Sequence, residues 1–357
     1  MKTIKNVLII TLPTLILLLI ILELFFRFII PACNPPLTVY DYEEQLTHYS
    51  NEKPQGLYTV GKFAGIRSRW TINNSGWNYP IDYSEIHDGK PLIAVIGDSF
   101  IESFHVNSDR SYPYLLRGKS FPEKEVYAFG LGGIPLSQYY QINKYVNKKF
   151  NPEIVIFNLT HSDFEESFRK FFYRRDIWQI EKLDSVYSLL PPDITNISPT
   201  TTTWKKILYG SAFFRYLHRN LYIFQLFGQK KGVDLEANVK IVDDVQKQSE
   251  IFQGTDFLFE KIRKENEGRR VIFIFDAPRT MIYDGTLAMS KLNWMYEMVN
   301  SLSAKYKFEF IDLTNPMQQD FARNHIKFNS EIDHHWNEYG HEFIANLLFE
   351  YLKNNNQ

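Results

Sequence analysis

Asp333-His-His-Trp-Asn337 sets a carboxylate two residues before an imidazole, and far upstream Gly97-Asp98-Ser99 sets a hydroxyl at the end of an apolar run. A serine hydroxyl is a weak nucleophile at neutral pH and needs a base within hydrogen-bond reach. Histidine is the usual base, and a carboxylate fixes its tautomer and steadies the imidazolium that forms. Asp333 and His335 offer both groups from one loop, which makes Ser99 the candidate nucleophile. His334, His335 and His341 could instead be surface or metal-binding residues. Their spacing does not follow the helical zinc pattern His-Glu-x-x-His, so neither a metal nor a cofactor is expected.

The elements that would position these groups are legible around them. Leu92 to Ile96 is a continuous apolar run ending at Gly97, the pattern of a strand buried on both faces in a parallel sheet. Ser99 then stands at the carboxyl end of that strand, where open α/β sheets place their chemistry, and Asp98 is expected to cap the turn. Further strands are expected at 126–129, 153–158, 271–275 and 308–312. Helices are expected to start near Ser111 and to cover Leu136 to Lys148 and about Leu287 to Tyr306. A last helix follows Asn337 as N-cap, with Phe343, Ile344, Leu347, Leu348, Tyr351 and Leu352 on one stripe. This alternation predicts an α/β fold, a parallel sheet with helices on both faces in three layers.

Three parts follow from the punctuation. Residues 1–30 are a short tail and an apolar anchor, 31–90 a turn-rich stalk and cap with a short strand near Gly56 to Val60, and 91–357 the α/β domain. Within the last, residues 165–265 form a long and largely helical insertion, a lid or subdomain beside the site, with helices near Lys206 to Phe227 and Val242 to Glu265. Its run Phe168 to Arg175 reads either as an amphipathic helix packed on the sheet or as the lining of a groove.

With 40 Lys and Arg against 41 Asp and Glu, and no basic run, a nucleic-acid partner is not expected. The single cysteine, Cys33, excludes an internal disulfide framework. Val7 to Ile30 is apolar and long enough to cross a bilayer, and Lys2 and Lys5 precede it. The expectation is a single-pass inner or plasma membrane anchor, with the amino terminus cytoplasmic and the main domain extracytoplasmic, in the periplasm or at the cell surface. A cleaved signal peptide is the rival reading, and Ile30-Pro-Ala-Cys33 faintly resembles a lipoprotein cleavage site. Glu23 and Arg27, four apart, can pair on one helix face.

Together these segments resemble the SGNH hydrolases, also called GDSL-like esterases and acyltransferases, over roughly residues 90–350. Gly97-Asp98-Ser99-Phe100, with Ser111-Tyr112-Pro113 after it, is similar to the first block of that family. Phe129-Gly-Leu-Gly-Gly-Ile-Pro-Leu-Ser-Gln138 is similar to the second, and Asp333-His-His-Trp-Asn337 with Gly340-His341 to the last. The resemblance implies Ser99, His335 and Asp333 as nucleophile, base and orienting carboxylate, and an oxyanion hole from the N–H groups of Ser99 and Gly133. The third block departs from the pattern: Thr160-His161-Ser162-Asp163 stands where the family has Gly-x-Asn-Asp, so the Ser162 hydroxyl takes the place of an asparagine amide. A hydroxyl can still donate one hydrogen bond; His161 or Asn158 could serve instead. His334 and His341 are expected to pack or to support the site. The layout also resembles anchored proteins that add or remove O-acetyl groups on envelope polysaccharides, often beside a polytopic membrane acyltransferase. The expected substrate is an acylated glycan or a lipid; the alternatives are a lysophospholipid esterase and a non-catalytic glycan-binding or assembly protein.

Overall fold

Runs of Ile, Val and Phe bounded by turns form the strands of the structure, a computed structural model that describes residues 7–86, 89–120, 124–184, 186–194, 209–221, 223, 236, 239–289 and 291–355. Five of them, β1 (Leu92–Gly97), β2 (Glu125–Gly130), β3 (Ile154–Leu159), β4 (Arg270–Phe275) and β5 (Glu309–Asp312), make one sheet in the order β5-β4-β3-β1-β2. All pairings are parallel. Every residue of β1 and β3 is buried, which explains their apolar sequences, interrupted in β3 only by Asn158. The chain runs from β1 to one side and then crosses to β3 on the other, so the crevice beyond β1 and β3 is the topological switch point of the sheet.

Helices α4 (Leu136–Phe150), α6 (Val245–Glu265) and α7 (Asn293–Tyr306) pack in series as one layer, and α3 (Tyr112–Ser120) packs on α8 (Glu338–Asn354) in the other. Phe259 of α6 stacks on Phe273 of β4, ring centroids 4.5 Å apart, and Phe273 in turn stacks on Phe157 of β3. Burial of each such ring contributes about 1.5–3 kcal/mol. Asp244 and Asn337 cap α6 and α8 by accepting backbone N–H bonds, Asn337 as expected from the sequence.

The amino-terminal cap consists of two antiparallel hairpins, Thr38–Asp41 with Leu46–Tyr49 and Gln55–Val60 with Ile66–Thr71. It also covers the free edge of β2. Tyr79 donates to Val126 O at 2.6 Å, and the Tyr83 hydroxyl both donates to Ala128 O at 2.6 Å and accepts from Ala128 N at 2.8 Å. Side-chain hydroxyls thus satisfy a strand edge that would otherwise invite pairing.

The insertion is less helical than its sequence suggests. Gln179–Leu183 and Val186–Leu190 form a hairpin, and Phe168 to Arg175 forms turns instead of an amphipathic helix. Phe168 is drawn inward, bridging to Ile180 and seated against Gly254 of α6, where a Cβ would lie 2.3 Å from the Phe168 ring. Residues 209–221 include helical turns at Ala212–Arg215 and Tyr216–Asn220; the Thr200 to Thr203 run and the remainder of the expected Lys206 to Phe227 helix lie outside the described residues.

At the amino terminus the apolar helix runs from Ile9 to Phe28, 20 residues, its regular part being α1 (Leu12–Phe28). At 1.5 Å per residue it is long enough to cross a bilayer. Lys2 and Lys5 lie outside the described residues. Glu23 and Arg27 do pair, at 2.5 Å, and the Glu23 carboxylate also accepts from Ser211 Oγ, Ala212 N and Phe213 N at 2.8–3.0 Å. The pair therefore clamps the insertion to the apolar helix, a role that its i,i+4 spacing does not announce.

Candidate active site

β1 ends at Gly97, and the chain turns at once into the short helix α2 (Ser99–Glu102). Asp98 caps the turn as expected, accepting from Phe100 N at 2.9 Å. The helix lies hard against the next strand: a Cβ on Gly130 would sit 2.0 Å from Glu102 N, so only glycine fits there. This packing sets Ser99 at the first position of α2, over the switch point.

The loop before α8 brings the other two groups to it. His335 Nε2 is 2.7 Å from Ser99 Oγ, and His335 Nδ1 is 2.7 Å from Asp333 Oδ1. The same carboxylate oxygen accepts the His335 backbone N–H at 2.8 Å, which locks the two-residue spacing into a closed turn. An ionised carboxylate only accepts, so Nδ1 carries the proton and Nε2 is free to accept from the serine hydroxyl. Burial pushes the Asp333 carboxyl upward, but its hydrogen bonds from the His335 ring and backbone and the favourable interaction with His335 outweigh it and hold Asp333 well below the usual carboxylate range.

Groups distant in sequence hold this loop. Trp336, fully buried, donates to Asp276 Oδ1 at 3.1 Å; Arg279 pairs with Asp276 at 3.1 Å, donates to His334 O and lies over the Phe100 ring. His105 stacks on His335 and turns Nε2 to the second oxygen of Asp333 at 3.5 Å. Burial and the charge of His335 push His105 well below the ordinary histidine range, so it is neutral. His334 is pushed down to about 3 by burial and by His335, and His341, which accepts the Tyr112 N–H at 3.2 Å, is pushed down to about 3 by burial. His341 is buried against the start of α3, and His334 meets Arg279 through its carbonyl. His105, Asp333 and His335 also bring ligand-type atoms within 4.8 Å of one another. A metal there would compete with the bonds that His335 makes to Asp333 and Ser99.

The three expected oxyanion donors come from the carboxyl ends of three neighbouring strands: Ser99 after β1, Gly133 after β2 and Ser162 after β3. The Ser99 N–H, at the start of α2, is one of the helix donors with no intrahelical acceptor. Gly133 takes φ +69°, a left-handed conformation that favours glycine, and its N–H has no acceptor among the described residues. Its carbonyl is held by Arg174 of the insertion, itself paired with Asp176. Ser162 opens α5 (Ser162–Glu166), and its hydroxyl is 3.2 Å from Thr160 Oγ1. If Thr160 donates in that contact, the Ser162 proton is left for another acceptor.

His161 is fully buried with Nε2 on Tyr296 OH at 2.8 Å and its ring against Phe275, and burial and the charge of Arg279 push it down to about 3. Asn158 is buried inside β3. Behind the site, Asp163 accepts from Thr160 N and Tyr139 OH, and burial raises both Asp98 and Asp163, the Asp98 charge adding to the latter. His105 carries no sequence signal of its contacts; Arg174 and Arg279 each have a carboxylate within three positions, but nothing local announces their bonds to Gly133 O and His334 O, 41 and 55 positions away.

No family model and no curated protein matches this chain. Solved structures do. A member of the lipolytic protein G-D-S-L family from Veillonella parvula is 11% identical, with 72% of this chain and 96% of that one covered and a TM-score of 0.40. The acetyl xylan esterase AlAXEase is 12% identical over 73% of this chain and 99% of that one, TM-score 0.41. The chain is similar as well to a carbohydrate esterase family 2 enzyme with its carbohydrate binding domain from Corynascus thermopiles, 11% identical over 80% of this chain and 70% of that one, TM-score 0.36.

Proposed function

We propose that this protein is a serine-dependent acyl-ester hydrolase or O-acyltransferase that works through an acyl-enzyme. The observation that carries the reading is the unbroken chain from Ser99 Oγ through His335 to Asp333, with both links at 2.7 Å. Ser99 attacks an ester carbonyl while His335 Nε2 takes its proton, and Asp333 steadies the imidazolium. The N–H groups of Ser99 and Gly133 and the Ser162 hydroxyl receive the developing oxyanion. His335 then returns the proton to the leaving alcohol, and water or a sugar hydroxyl, deprotonated by the same imidazole, releases the acyl group.

The substrate we propose is the O-acetyl group of an extracytoplasmic envelope polysaccharide, with the domain held at the membrane by Ile9–Phe28 and served, for transfer, by a polytopic acyltransferase. A second reading, an esterase for membrane lipids, is favoured by the arginine-lined cavity at the outer end of α1. A fluorophosphonate probe should label the full chain at Ser99 and leave Ser99→Ala unlabelled. Acetate release from acetylated glycan, against fatty-acid release from lysolipid, separates the two substrates. A wild-type chain that stays unlabelled sinks the enzymatic reading and leaves a glycan-binding or assembly protein.

A further inference from the structure

A cavity of about 400 Å³ lies at the outer end of α1, between that helix and the second hairpin of the cap. Arg27, Phe28, Leu57, Arg67, Arg69 and Asn107 line it. Arg67 and Arg69 alternate with buried Ser68 and Trp70 on one strand, so both guanidinium groups are offered on the same exposed face. Arg27 is engaged by Glu23 and Gly210 O, whereas the side chains of Arg67 and Arg69 meet no carboxylate among the described residues. Two exposed guanidinium groups two residues apart on one strand face can meet a single anion with charge-assisted hydrogen bonds.

The position of the cavity says where such an anion would come from. A 20-residue apolar helix that ends at Phe28 brings Arg27 and Phe28 to the level of the membrane surface. Phe28, 69% exposed, and Leu57 give the cavity an apolar lip beside its basic wall. The helix is no loose tether. Asn34 N donates to Leu57 O at 2.8 Å, Cys33 N to Asn220 Oδ1 at 3.1 Å and Thr59 Oγ1 to Pro31 O at 3.3 Å, so the domain is held at one depth and orientation. A second cavity, of about 200 Å³, shares Arg67 and Asn107 with the first and reaches His105 and His335.

We propose that the cavity between Arg67, Arg69 and the end of α1 binds the phosphate of an anionic membrane phospholipid, and so holds the His335 side of the domain against the bilayer. The bidentate geometry of arginine suits a phosphodiester, and the apolar lip suits the start of its acyl chains. This site rests on Ile9–Phe28 crossing a membrane and not on the chemistry assigned to Ser99.

Native mass spectrometry of the full chain in detergent micelles tests it, with phosphatidylglycerol and phosphatidylcholine of identical acyl chains as probes. Phosphatidylglycerol should bind about tenfold tighter or better, as expected of charge-assisted hydrogen bonds. The pair Arg67→Ser and Arg69→Ser should abolish that preference, and Arg67→Lys with Arg69→Lys, which keeps the charge but not the bidentate fork, should keep only part of it. Should the serine pair fail to fold, Arg67→Gln alone should still lower the preference several-fold. Equal binding of the two lipids overturns the proposal, as does a preference that survives the serine pair. Displacement of the lipid by free glycerol phosphate at equal concentration overturns it too, because the site would then serve a soluble phosphate. Fluorophosphonate labelling of the same samples reports on Ser99 separately: labelling without lipid preference overturns only this site, and lipid preference without labelling supports it while the enzymatic reading fails.

Discussion

The imidazole rings of His105 and His335 lie face to face, with centroids 3.7 Å apart and planes within 8° of parallel. One ring is the candidate base, and the other is a neutral plate that fixes its plane and shares its carboxylate, each histidine facing one oxygen of Asp333. The contacts of His105 with the catalytic groups run to His335 and Asp333, so its part is positioning. His105→Ala should lower kcat on a soluble ester about ten- to a hundredfold, as a misaligned base does, with KM little changed. His105→Phe keeps a flat ring in the stack and should recover most of the loss. Equal losses in kcat/KM from a raised KM alone would count against positioning.

The weakest part of the proposed oxyanion hole is Ser162. Ser162→Ala removes a donor, and the expected cost is about 100- to 1000-fold in kcat, the range typical of one such group. Ser162→Asn restores an amide donor and should retain activity at or above the parent level. Steady-state kinetics on one ester substrate decide it: an alanine variant with parental kcat removes Ser162 from the hole.

Arg279 and Asp276 form an ion pair with side chains 3% and 0% exposed, and the pair carries Trp336 and the His334 carbonyl. Arg279→Met leaves a buried carboxylate without its counter-charge, though still hydrogen-bonded by the Trp336 indole and the Ala277 backbone. Loss of one partner of such a pair costs about 3–5 kcal/mol, so the urea midpoint of the variant should fall sharply. Adding Asp276→Asn, which removes the stranded charge, should return part of it. A midpoint unchanged in the single variant would contradict the burial described above.

His341 ties the pH dependence of stability to the core. Its value when folded is pushed down to about 3 by burial, against an ordinary value near 6.5. The unfolded chain therefore takes up a proton first as the pH falls. The stabilising contribution of the neutral ring is fully present above pH 6.5 and is lost progressively between there and about pH 3. His341→Asn keeps an acceptor for Tyr112 N without the titration. Between pH 7 and pH 5, its thermal midpoint should fall less than that of the parent chain; a parallel fall in both would show that His341 does not contribute.

The groups meant to meet could be named in advance because their chemistry is local. Asp333 and His335 close their own turn within three residues, Asn337 caps the helix that follows, and the all-apolar β1 delivers Ser99 to a strand end whatever surrounds it. Strand periodicity is equally local, and so the parallel sheet was legible. The contacts that depend on chain separation were not. A lone histidine at 105 has no pattern that predicts a stack 230 positions away, and the Asp276–Arg279–Trp336 lattice joins the end of β4 to the loop before α8. Phe168 to Arg175 has the composition of an amphipathic helix, yet burial of Phe168 against Gly254 outweighed that propensity and left turns and a hairpin. The spacing of Glu23 and Arg27 foretold an ion pair; only folding put the amide groups of residues 212 and 213 beside it, making a helix-surface pair the joint between the apolar helix and the domain. Local hydrogen bonds and periodic burial settle elements and their ends, whereas the partner of a single side chain is settled by long-range packing, and most of what steadies Ser99, His335 and Asp333 is of the second kind.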